Sequence, residues 1–189
     1  MPGQSLFPKP KDPQGESAVD RFLASQGVGS GRLIFALDAT ASRGPTWDLA
    51  RRLTGDMIRE ASGVSLQLAY FRGGLGSPAE CVASTWSADA VRLTQLMAKV
   101  ECRAGYTQIA RVLAHAERET LAAKVGALVL IGDMCDPQGG DNLDTLAAPA
   151  LALRRLKTPI FCVPGGKAIW SNLERNFDAR PDERRAEVA

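Results

Sequence analysis

From residue 33 onward, short apolar runs alternate with longer amphipathic stretches, and this alternation limits the chain to few architectures. Residues 33–37 (LIFAL) form a continuous apolar run, the pattern of a strand buried on both faces. Residues 46–62 carry Ala50, Leu53, Met57, Ile58 and Ala61 on one helical stripe, closed by Gly63. Residues 64–71 alternate as a strand does, and a turn with Gly73, Gly74 and Gly76 leads to a second strand over 80–86. The turn is short, so these two strands pair antiparallel. Helices follow over 87–100, with Ala90, Leu93, Leu96 and Met97 inward, and over 107–123, with Ile109, Val112, Leu113 and Ala116 inward. Residues 125–131 are the strongest strand of the chain. A helical segment over 143–156 contains Pro149, which implies a kink or a late start. A strand over 159–163 and a helix over 167–177 complete the pattern.

Strands alternating with helices imply right-handed crossovers. The expected fold is therefore α/β, a doubly wound and mainly parallel sheet with one antiparallel edge strand. The domain spans 32–177. Ahead of it, residues 1–31 comprise an arm with four prolines in its first 16 residues, a short amphipathic stretch over 17–26 (Val19, Phe22, Leu23) and a glycine-rich hinge. Behind it, residues 178–189 carry seven charges and form a tail with no strand pattern.

Composition narrows the function. With 23 Lys+Arg against 21 Asp+Glu in 189 residues, the net charge is +2, which offers no field for nucleic acid and no polybasic membrane patch. No apolar run approaches the ~20 residues of a membrane span or the form of a secretion signal, so a cytoplasmic location is expected. Cys81, Cys102, Cys135 and Cys162 are 21, 33 and 27 residues apart, a spacing that suits neither a zinc module nor a disulfide scaffold; reduced thiols are expected. No phosphate-binding or dinucleotide-binding glycine loop is present, so a small-molecule substrate is not expected.

In a sheet of this kind, ligands bind at the carboxyl ends of the central strands. Asp38, Thr40 and Ser42 follow the first strand, Asp133 follows the strong later strand, and Thr107 opens a helix after Gly105 and Tyr106. Alternation can direct residues 38, 40 and 42 the same way. Two carboxylates and three hydroxyls are all hard oxygen donors, the set that suits Mg²⁺. With only two acids, a bound cation would keep positions open to an outside oxygen. The competing explanation is local: Thr107 as a helix cap and Asp38 as a partner of nearby amides.

These motifs resemble the von Willebrand factor A-type (VWA) domain and its metal-ion-dependent adhesion site. The resemblance rests on D-x-T-x-S after the first strand, G-x-T at a helix start and an Asp after the apolar strand. More narrowly, the segments 38–48, 70–73, 80–81, 105–109 and 131–133 are similar to small bacterial cytoplasmic VWA proteins. The resemblance implies that Thr40, Ser42 and Thr107 ligate Mg²⁺ (Mn²⁺ or Ca²⁺ as substitutes) and that Asp38 and Asp133 hold its waters or touch it. A carboxylate of a partner protein, from Asp or Glu, completes the coordination. Two departures stand out. No sixth strand follows the last helix, which leaves the fifth strand at an edge, and Met134 stands where a glycine is common after the metal-site Asp.

Arg43, Trp47 and Arg72 flank these motifs and are candidates for the rim that meets a partner, with helix packing as the alternative for Trp47 and a surface role for Arg72. Asp136 and Asp141 read as solvated loop acids, with modulation of the metal's charge as the alternative. His115 lies off its helix's buried stripe and carries no assigned chemistry. The expectation is a non-enzymatic, metal-dependent protein-binding module, an adaptor in a bacterial ATPase or stress-response assembly. The alternative is a Mg²⁺-dependent hydrolase, a PIN-like nuclease or a phosphatase, using Asp38 and Asp133. Thr40 argues against a phosphatase of the haloacid-dehalogenase kind, which would carry a second Asp there. A third possibility is an assembly protein that pairs through its free sheet edge.

Overall fold

A computed structural model describes residues 31–60, 64–74, 76, 78–132 and 137–164. Among the described residues, five strands form one sheet: β1 (Arg32–Asp38), β2 (Ser65–Arg72), β3 (Glu80–Ala83), β4 (Ala127–Gly132) and β5 (Ile160–Pro164). Their spatial order is β3-β2-β1-β4-β5. β1 pairs parallel with β2 and β4, β4 pairs parallel with β5, and β3 alone runs antiparallel, against β2. The expected doubly wound sheet with one antiparallel edge strand is the observed one.

Period-two alternation divides β1 between two cores. Leu33, Phe35 and Leu37 face one side, with Leu66 and Leu68 of β2. That side is covered by α1 (Trp47–Glu60), through Trp47 and Ile58, and by α2 (Ala90–Ala98), through Leu93 and Met97. Ile34 and Ala36 face the other, with Ala69 and Phe71. There α3 (Ile109–Ala122) contributes Ile109, Val112, Leu113 and Ala116, and α4 (Leu143–Arg155) contributes Leu146, Ala150 and Leu153. A strand buried on both faces must be apolar throughout, which is why β1 and β4 read as continuous runs.

Element limits differ from the pattern where tertiary contacts intervene. A 3₁₀ turn (Ala41–Thr46) with Pro45 inside it precedes α1. β3 stops at Ala83, short of Trp86. Trp86 instead stacks on the Arg32 guanidinium, 3.7 Å from its ring centre, and its indole N–H donates to Glu119 Oε2 at 2.7 Å. Arg32 also pairs with Glu119 (2.8 Å), so one carboxylate ties the start of β1 and the end of the hairpin to α3. α4 begins at Leu143 in a reciprocal cap between Asn142 and Thr145 and runs through Pro149, so Pro149 does not delay its start. The helices expected over 17–26 and 167–177, the arm and the tail lie outside the described residues.

Candidate functional site

β1 ends in Asp38, and the chain then turns at Thr40 into the 3₁₀ turn. Asp38 is 1% exposed, and its Oδ1 accepts the Thr40 N–H at 2.9 Å. Thr40 Oγ1 lies 3.0 Å from Ser42 Oγ. Asp38 and Thr40 are buried while Ser42 is exposed, so this row of oxygens runs from the core to the surface.

Backbone bonds draw two further segments to the same place. The Ala39 N–H donates to Phe71 O at the end of β2, and the Arg103 N–H donates to Ala39 O, both at 3.0 Å. Thr40 and Arg103 form an isolated parallel bridge. The Tyr106 N–H donates to Gly73 O at 2.8 Å, locking the 103–108 loop to the segment after β2. Thr107, 3% exposed, lies within this loop.

The loop can lie this close only because it contains glycine. At Gly105 (φ +152°) a Cβ would stand 2.5 Å from Gly73 N and 2.6 Å from Gly73 Cα. On the other side, a Cβ at Gly139 would collide with Tyr106 Cβ and stand 3.0 Å from Thr107 O. The segments after β1, β2 and β4 and the start of α3 thus close on one another at the carboxyl end of the sheet.

Asp141 completes this closure and corrects its reading as a solvated loop acid. It is 2% exposed, and its two carboxylate oxygens accept the Ile109 N–H (2.7 Å) and the Ala110 N–H (2.9 Å). A carboxylate at a helix start satisfies amides that have no partner within the helix and matches the positive end of its dipole. Thr107 is not the cap: the N-cap position is Gln108, whose side chain makes no capping bond, and Asp141 supplies the acceptors instead. The signal that could have exposed Asp141 is its place in G-G-D-N directly before a helix, although the helix it caps is another one.

The three residues proposed as a partner rim are all buried: Arg43, Trp47 and Arg72. Trp47 belongs to the core under α1. Arg72 pairs with Glu80, its neighbour across the hairpin, through Nε at 3.0 Å, and also donates to Glu101 O. An arginine reads as surface until its partner is seen; here the β2–β3 register supplies one. None of the three presents an exposed rim.

Burial shifts two further titratable groups. Burial pushes the Cys81 thiol up, outweighing the opposing pull of Arg118 and Arg111, so the thiolate is disfavoured. Burial lowers His115 against the opposing effect of Glu119, and its Nε2 lies 2.8 Å from Gln67 Oε1. Among the described residues, no three of His, Cys, Asp or Glu gather as metal ligands. Any cation here would depend on hydroxyls beside Asp38, and Asp133 lies outside the described residues. Asp136 and Cys135 lie outside them too.

No protein-family model and no curated protein sequence matches the chain. Solved structures do. The chain is similar to a von Willebrand factor type A protein from Catenulispora acidiphila, with a TM-score of 0.59 and 16% identity over 78% of this chain. It is also similar to the manganese-loaded TRAP protein of Plasmodium vivax, with a TM-score of 0.63 and 16% identity over 82% of this chain. It spans 41% and 65% of the lengths of those two chains. Sheet order, strand directions and these likenesses agree: the chain has the fold of a von Willebrand factor A-type domain.

Proposed function

We propose that this domain is a metal-dependent protein-binding module that docks an acidic residue of a partner. The observation that carries the reading is the row Asp38, Thr40 and Ser42 at the end of β1, buried at one end and exposed at the other. Its donors are all hard oxygens, which fit Mg²⁺ or Mn²⁺ and suit neither zinc nor copper. The manganese carried by the TRAP structure supports divalent-metal binding as the reading for this chain.

In this reading Thr40, Ser42 and Thr107 offer hydroxyl ligands, and Asp38, with Asp133 directly after β4, holds the first water shell or touches the ion. A divalent ion so held would be incompletely neutralised and would take one carboxylate from outside. The fixed backbone of Ala39, tied to both Phe71 and Arg103, keeps Asp38 and Thr40 in place without a partner. Ser42 is the exposed member and stands nearest the incoming acid. The domain acts by binding, without turnover, in the cytoplasm, as an adaptor within a larger assembly. No helix among the described residues is long and apolar enough to cross a membrane.

Capture from a lysate on immobilised full chain tests this. A partner retained in Mg²⁺ and released by EDTA, and not captured by the paired Asp38→Ala, Thr107→Ala variant, is the expected result. Retention that ignores both EDTA and the variant would overturn the reading. So would phosphodiester or phosphate-ester hydrolysis with Mg²⁺ that Asp133→Asn abolishes.

A further inference from the structure

On the α1–α2 side of the sheet, toward the β3 edge, lies an apolar groove of about 320 Å³. Leu37, Leu68 and Tyr70 form its floor, Leu96 and Val100 one wall, and Val82 of β3 the other. Val82 is 45% exposed, and Arg92 stands at the rim, itself exposed. Leu37 precedes Asp38, and Trp47, which also lines the groove, opens α1 directly after the turn that carries Ser42. Two lining residues thus flank, in sequence, the segment that carries Asp38, Thr40 and Ser42.

We propose that residues 17–26 of this same chain dock in this groove. Three features select them. The first is pattern: Val19, Phe22 and Leu23 share one face of a helical turn, which matches a narrow apolar trough. The second is charge. Asp20 follows Val19 directly, at the margin of that face, where a docked segment would bring its carboxylate toward the exposed Arg92.

The third is reach. β1 begins at Arg32 and pairs with Ser65, whereas Leu68 on the groove floor pairs with Phe35. The groove therefore starts about 10 Å along the strand from the point where residues 1–31 join it. Residues 27–31 can extend about 20 Å from residue 26 to Arg32, and their three glycines allow the reversal needed. Residues 165–189 start from a different place. They leave from β5, with β4 and β1 between it and β2, about 14 Å away across the sheet. The inference does not rest on metal binding.

Amide hydrogen exchange on the full chain in EDTA tests it, because that condition leaves the metal question out. The Phe22→Glu, Leu23→Glu variant alters no described residue. It should speed exchange about tenfold or more at residues 80–83 and 96–100 and leave β4 unchanged. Val82→Glu should give the same local pattern and add nothing further when combined with the first variant. The proposal would be overturned by no change, by a change centred on β5, or by acceleration spread over the whole sheet. An effect that disappears on dilution would also overturn it, since it would assign the groove to a second copy.

Discussion

Replacing Asp141 by alanine is expected to lower the stability of the domain by about 2–4 kcal/mol. The two carboxylate oxygens of Asp141 are the acceptors for the Ile109 and Ala110 amides at the buried start of α3, and no helical carbonyl can replace them. Stranding a buried donor costs about 1–3 kcal/mol, and the carboxylate's favourable position at the helix dipole is lost as well. Asp141→Asn keeps one acceptor and should recover about half of the loss. Denaturant unfolding at constant m-value reads the difference directly. A loss below about 0.5 kcal/mol would mean that water reaches these amides and that the closure between the β4–α4 segment and α3 is loose.

A second large effect is expected at Gly105. Its φ of +152° lies where side chains are strained, and an added Cβ would meet backbone, Gly73 N and Cα at 2.5 and 2.6 Å, not a side chain that could swing aside. Relief requires the 103–108 loop to part from the segment after β2, which breaks the bond from the Tyr106 N–H to Gly73 O. Gly105→Ala should therefore cost about 3 kcal/mol, a fall of about 6–12 °C in Tm. Gly44→Ala is the control. Nothing lies within 4 Å of a Cβ there and φ is ordinary, so a change near zero or slightly stabilising is expected. Equal effects at the two glycines would contradict the close approach described here. Because Thr107 rides on the same loop, Gly105→Ala should weaken any cation binding in parallel with stability.

How much of this was legible in the sequence depends on whether the cause was local. β1 and β4 declare themselves because burial on both faces demands unbroken apolar runs, and β2 with β3 because a short glycine turn leaves only the antiparallel choice. The row Asp38, Thr40, Ser42 was legible for the same reason: its members are two apart and interact with one another. Asp141 was not, since its partners lie 31 and 32 residues away and its place before a helix points to the wrong helix. Arg72 was misread as a rim residue because only the β2–β3 register sets Glu80 opposite it. The extension of β3 to Trp86 failed because the ladder breaks where the Ser84 hydroxyl accepts the Leu68 N–H, and it resumes only as a single bridge between Ser87 and Leu66.

The central claim, that the carboxyl end of β1 holds a divalent cation, is tested most directly by thermal unfolding. Wild type and Asp38→Ala would be compared in EDTA, Mg²⁺, Mn²⁺ and Ca²⁺. At 100 times its Kd, an ion that binds only the folded state adds about 2.7 kcal/mol, or about 5–11 °C for a domain of this size. The account predicts such a rise with Mg²⁺ or Mn²⁺ in the wild type and its loss in Asp38→Ala. No rise with any ion, or an equal rise in the variant, would contradict it.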